Sequence, residues 1–266
     1  MSAALDFVRV FFRGAYLSYI AHFRWIRPPN YLASKVIMPL NQILFFSLLG
    51  RFATGADSVP FYAIGNAMQI VALNGTYGTT MSIGGERWSG TLIYLFGSPA
   101  HRLAMFLGRG FMHVIDGMVG VVLGLMWAGL LLGVDFSRTD LGALGATILT
   151  TTLSVMGFGL LLGAISLITV NIMFVNNTVY FLLLVFAGAN VPLANFPEPI
   201  QAFSYSLPLT RGILAARAVV DGAGLSDVAP LLSGELLVGA AYLAIGYLTF
   251  SAFETIAKRR GTLEAF

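Results

Sequence analysis

Cysteine is absent from the 266 residues, which excludes disulfides, thiol chemistry and cysteine-based metal sites. Charge is scarce too. Asp, Glu, Lys and Arg make up 10% of the chain against 57% apolar residues, and the mean hydropathy is +0.82. A soluble domain cannot cover its surface with so little charge, so the composition is that of a helical membrane protein. The histidines, His22, His101 and His113, are scattered and form no metal-ligand spacing. No GxxxxGK[ST] phosphate loop is present, no GxSxG nucleophile motif, and no carboxylate pair at catalytic spacing on a polar loop. The chain is therefore expected to be no enzyme, to carry no cofactor or metal, and to bind no ATP itself. A net charge of +3 gives no reason to expect nucleic acid as a partner. The apolar runs do not alternate with period two, which argues against a β-barrel. Residues 1–30 carry Arg9, Arg13, Arg24 and Arg27 and no uninterrupted apolar core, so no cleavable signal peptide is expected.

What is present are long apolar segments of membrane-crossing length. Residues 1–29 mix Phe7, Phe11, Phe12, Tyr16, Phe23 and Trp25 with arginines, the pattern of a helix lying in the membrane interface, and Pro28-Pro29 ends it. Six spans follow, at 31–52, 60–83, 104–134, 141–168, 178–191 and 229–253. Lys35, near the start of the first, is expected to snorkel to the interface. Residues 192–228 hold Pro192, Pro197, Pro199 and Pro208 and are too broken to span, so they read as an outer re-entrant or interfacial segment. Lys and Arg fall eleven to four in favour of the side holding both termini and residues 85–102, which makes that side cytosolic.

Polar residues inside the spans are the candidate sites. Asn66, Gln69, Tyr77 and Thr80 project within an arc of about 80° on an ideal helix. Such a face avoids lipid and packs on other helices or lines a substrate path; Thr150, in the threonine cluster 147–152, joins that candidate path. Asp116 lies three residues after His113, on one helix face. The two are a candidate intramembrane polar pair, and Asp116 is alternatively the partner of a neighbouring helix. No other clear ionisable group is expected within the spans. Gly120-x-x-x-Gly124, Gly129-x-x-x-Gly133 and Gly159-x-x-x-Gly163 permit close helix approach.

Between the second and third spans the chain breaks the apolar pattern with Glu86, Arg87, His101 and Arg102 while keeping a short apolar core, Thr91 to Phe96. Gly90 and Ser98-Pro99 bracket that core, so a helix of about two turns fits between them. The sequence there, Glu86-Arg-Trp-Ser-Gly90-Thr91-Leu92, with Ser98-Pro99 and Gly108-Arg109 following, resembles the Glu-x-x-x-Gly-Thr-Leu segment of the ABC-2 type permeases, the membrane subunits of type V ABC exporters. Pro192-Leu193, Pro197 to Gln201, and Pro208-Leu209-Thr210 with Arg217 are similar to that family's broken region before the last span.

The resemblance implies an all-α integral membrane protein with six spans, an N-terminal interfacial helix and a cytosolic coupling helix, seated in the plasma (inner) membrane. It implies a permease that pairs with a second permease subunit, identical or not. A separate ATPase subunit, which would bind ATP and Mg, would dock at Glu86, Arg87, Gly90, Thr91, Leu92, Tyr94, Leu95 and Phe96. The cargo expected is an amphipathic, drug-like or lipid- or glycan-linked compound moved outward. The alternative reading is a secondary transporter or channel that uses Asp116.

Overall fold

The computed structural model describes residues 3–25, 28–88, 90, 91, 94, 97, 100–167, 169 and 171–260. Among them every regular element is helical: α1 (Ala3–Trp25), α2 (Pro28–Thr54), α3 (Val59–Ala72), a π-turn (Leu73–Gly78), α4 (Thr79–Trp88), α5 (Arg102–Leu132), α6 (Leu141–Ser166), α7 (Ile172–Phe186), α8 (Glu198–Ser206), α9 (Thr210–Val220) and α10 (Leu225–Arg260). The chain is an all-α integral membrane protein. By length and composition α2, α5, α6 and α10 can each cross a membrane, and α7 is a shorter apolar helix.

The bundle is built around α6, sixteen of whose 26 residues are buried, so it is apolar all round rather than on one stripe. Its inward threonines bond within the helix: Thr147, Thr151 and Thr152 each donate to the carbonyl four residues earlier. Asp140 starts α6 by accepting from the Gly142 and Ala143 amides at 2.8 and 3.0 Å. In the preceding turn, two hydrogen bonds from Ser137 hold the exposed Asp135 carboxyl below the usual carboxylate range.

Two of the three GxxxG motifs are packing seams. Gly120 and Gly124 lie against Ile70 of α3, and Gly159 and Gly163 lie against Gly75 and Ile83. The other pair has a different use. Gly129 faces Phe136 of the following turn, and Gly133 closes α5 at φ 69°, a left-handed conformation that favours glycine. Along the opposite side of α6, Gly157 faces the Gly239 carbonyl of α10 and Gly246 faces Leu161, so these two helices touch through backbone.

Helix α1 lies along the first turns of α5. Gly14 faces the Met105 carbonyl, Gly108 faces the Phe11 carbonyl, and Phe11 meets Phe111 edge-to-face at 5.4 Å. Leu5, Val8, Phe12, Tyr16 and Leu17 remain exposed on the rest of the helix, as an interfacial helix requires.

Helix α7 runs 172–186 where the expected fifth span is 178–191. Asn171 caps it by accepting from the Phe174 amide at 3.1 Å, and Asn176 and Asn177 fall inside the helix. The segment 192–228 is folded into a short 3₁₀ turn, α8 and α9.

Candidate functional site

The helix that leads to residues 85–102 is interrupted halfway by the π-turn. A π-turn carries one extra residue and frees backbone groups, and such turns concentrate at functional positions. Gly75, Thr76 and Gly78 lie within it, and their small or β-branched side chains let neighbours close in. Gly75 packs on Val155 and Gly159 of α6, and Gly78 on His113 of α5. Thr76 donates to the Ala72 carbonyl at 2.5 Å.

Asn74 of this turn accepts from Lys35 Nζ of α2 at 2.9 Å. The same ammonium forms an ion pair with Asp116 Oδ2 of α5, and Tyr31 Oη donates to Asp116 Oδ1 at 2.6 Å. Both charged side chains are close to nine-tenths buried, 9% and 11% exposed. Lys35 therefore does not snorkel. Its head lies inside the bundle, where Asp116 supplies the counter-charge. The partners of Asp116 come from α2, and His113 sits one turn away, buried against the π-turn.

A second polar line joins α2, α3 and α7. Asn66 Nδ2 donates to the Asn190 side chain at 2.8 Å and to the Tyr62 carbonyl at 2.9 Å, and Asn66 Oδ1 accepts from Gln42 at 3.3 Å. Gln42 in turn accepts from Tyr180 Oη at 3.1 Å. Below it, Tyr77 Oη bonds Asn177. The candidate path residues thus divide. Asn66 belongs to this line, Tyr77 bonds α7 separately and Gln69 makes no hydrogen bond among the described residues, whereas Thr80 turns to α6 and donates to the Gly159 carbonyl at 3.3 Å. Thr150 is half-buried on α6.

At the end of the bundle away from residues 85–102 stand two ionisable residues, Arg217 of the broken segment and Glu235, which sequence reasoning did not place. Glu235 of α10 is fully buried, although no ionisable group beyond Asp116 and His113 was expected within the spans. Its position in Ser-Gly-Glu-Leu-Leu, close to the start of the last span, was the available signal. Its carboxyl accepts from the Leu209 amide at 2.5 Å and from the Gly212 amide at 3.3 Å, so it caps α9 from another helix. Leu209 needs that support because it adopts φ 86°, costly for a residue with a branched side chain. Glu235→Leu is expected to destabilise the protein by roughly 2–4 kcal/mol and Glu235→Gln by about half of that, read as apparent Tm in lipid nanodiscs.

Arg217 of α9 is the other. Its guanidinium donates to the Phe61 carbonyl at 2.8 and 3.2 Å, to Gly188 O at 2.9 Å and to Ala189 O at 3.0 Å, and lies 3.5 Å from the Phe61 ring centroid. One side chain thereby satisfies carbonyls at the start of α3 and just past the end of α7.

At the opposite end of the bundle, α4 runs to Trp88 and Gly90 turns the chain at φ 67°. The Tyr94 amide donates to the Thr91 carbonyl at 3.1 Å, and positions 94 and 97 are helical. Tyr94 is 78% exposed, Gly90 is exposed and Thr91 half-buried. Of the predicted docking residues, Leu92, Leu95 and Phe96 lie outside the described residues, as do the side chains of Glu86 and Arg87. Among the described residues no group of three or more His, Cys, Asp or Glu is placed to hold a metal.

These features define a multi-pass helical membrane protein: apolar helices around buried polar joints, with an exposed turn between the second and third spans. Comparison with family models then gives the particular family. The ABC-2 type transporter model matches residues 16–220, and the chain belongs to that family. No curated protein matches it in sequence. It is accordingly a permease component of an ABC transporter, a family whose members generally pair with an ABC ATPase subunit.

Proposed function

We propose that the chain is the permease subunit of an ATP-driven exporter that carries an amphipathic, drug-like or lipid- or glycan-linked compound outward, with ATP and Mg held by a separate subunit. The observation that carries this is the family match over residues 16–220. The geometry supports it in two places. The segment after α4 presents exposed Gly90 and Tyr94 beyond the bundle, where a partner can reach them. Asp116 is neutralised by Lys35, so it lacks the free carboxylate that a proton-coupled carrier would use.

In this reading Tyr94, with Leu92, Leu95 and Phe96, forms the apolar anchor in a groove of the ATPase, and Glu86 and Arg87 set register at the rim. Gly90 and Thr91 form the bend that presents the anchor. Two permease subunits pair in the inner membrane with both termini cytosolic. Closure of the ATPase dimer pushes on the docking segment, and the motion travels up α4 to the π-turn.

Tyr94→Glu and Leu95→Glu, made singly, are expected to cut co-purification of a cognate ABC ATPase subunit by at least tenfold. The chain's own elution profile and Tm should stay unchanged. Unimpaired assembly by both variants would sink the docking assignment.

A further inference from the structure

Two amides in the interior stand apart from every other polar group described above. Both side-chain polar atoms of Gln69 and both of Asn176 are buried and make no hydrogen bond among the described residues. Each residue is 0% exposed. An amide offers two donors and an acceptor, and buried polar groups in folded proteins are almost always paired. Two fully idle amides are therefore poor structural glue: leucine would serve packing better at either position.

Their placement is not random. Gln69 follows Asn66 by three residues, so the two are neighbours on one face of α3. Asn176 precedes Tyr180 by four on α7, so these too are neighbours. Asn66 and Tyr180 are both bonded to Gln42 of α2. The idle amides thus flank a single polar line that crosses from α3 to α7. A separate bond from Tyr77 of the π-turn meets the same helix at Asn177, which is exposed. The line's own members are all uncharged. The nearest charges are already spent, Lys35 on Asp116 and Arg217 on backbone carbonyls.

Helix α7 is also held by little buried surface. Only Ile172, Asn176 and Leu183 of its fifteen residues are buried. Two of these are apolar and the third is one of the idle amides. A small outward movement of α7 would open the line without breaking a charge pair or removing a large buried apolar surface.

We infer that the seam between α3 and α7 is a binding site for the uncharged, hydrogen-bonding headgroup of an amphiphile, with Gln69 and Asn176 as its recognition groups. A hydroxyl-rich or amide headgroup would satisfy the donors and acceptors that the fold leaves idle. A cationic or anionic headgroup would find no counter-charge and would lose its hydration. The apolar tail would remain in the lipid on which α7 borders, where Phe174 and Phe181 are exposed. This rests on the exporter reading for its purpose, since it names the part of the cargo that the permease would hold.

The test uses the full chain in lipid nanodiscs, without any ATPase. Three amphiphiles with the same tail are compared below their micellar concentrations: octyl β-glucoside, octyl sulfate and octyltrimethylammonium. A saturable rise in Tm is expected with the glucoside, with half-saturation at least tenfold lower than for either charged amphiphile. Gln69→Leu and Asn176→Leu should each keep or raise the ligand-free Tm, because an idle buried amide is removed. Each should weaken the glucoside response at least tenfold.

Equal responses to all three headgroups would overturn the site, as would an unaltered glucoside response in both leucine variants. The absence of any saturable shift would assign the amides to bound water and overturn it as well. The exporter reading fails separately: if Tyr94→Glu and Leu95→Glu leave ATPase assembly intact while the glucoside still binds, the seam stands and the docking does not.

Discussion

Lys35→Met is expected to lower the apparent Tm of the protein by about 10 °C. The ammonium is the only described cation paired with Asp116, and removing it strands a carboxylate in the membrane interior. Breaking a buried pair from one side costs about 3–5 kcal/mol, and insertion scales place a lone charge at mid-membrane near 2.5–3.5 kcal/mol. For a chain of this size each kcal/mol moves Tm by about 2–4 °C. The hydrogen bonds around the pair are worth less, because interhelical hydrogen bonds in membranes average about 0.6 kcal/mol. Tyr31→Phe and Asn74→Ala should therefore shift Tm by only a few degrees. The double variant Lys35→Met/Asp116→Leu should recover most of the loss, since two apolar residues replace two compensating charges. Thermal unfolding of all five proteins in the same nanodiscs checks this. If the double variant is as damaged as Lys35→Met alone, burial of an unpaired charge is not the cause.

Arg217→Met is expected to destabilise the segment 187–222 by about 3–5 kcal/mol. The loss leaves the carbonyls of Phe61, Gly188 and Ala189 without their donor, and each unpaired buried group costs roughly 1–3 kcal/mol. Arg217→Lys should recover less than half. A single ammonium cannot reach three carbonyls in the planar fork that a guanidinium provides, and it loses the stacking on Phe61. Because these contacts tie α9 to α3 and to the end of α7, the effect should be local. Limited proteolysis should cut within residues 187–222 at least tenfold faster in Arg217→Met, while cleavage after α10 is unchanged. Uniformly faster cleavage along the chain would point to global unfolding instead.

The two joints serve the exporter reading in different ways. The ion pair ties α2 and α5 to the π-turn, and the π-turn stands directly above the helix that leads to the docking segment. Displacement of that segment therefore meets the Lys35–Asp116–Asn74 junction first. The Arg217 and Glu235 contacts fix α9 against α3, the end of α7 and α10. Between these two joints lies the uncharged line of α3 and α7, whose hydrogen bonds are individually weak.

Much of this molecule was determined by sequence alone. Scarce charge and long apolar runs require helices, because in hydrocarbon each backbone amide and carbonyl must be satisfied within its own segment. Caps and breakers were equally local: Asp140 starts α6, Gly133 ends α5 and Gly90 turns the chain, each through the conformation or hydrogen bond of a single residue. The motif from Glu86 to Leu92 carried the family before any coordinates. What the tertiary structure decided were the partners. Lys35 and Asp116 are 81 residues apart, Arg217 and Phe61 are 156, and Glu235 caps a helix 23 to 26 residues earlier. No period or spacing connects such pairs. An ionisable residue near a span end has two low-energy outcomes, the interface or a buried partner, and packing alone selects between them. The π-turn is decided in the same way: an extra residue in a helix is unfavourable by itself and persists here because α2, α5, α6 and α7 all close on it.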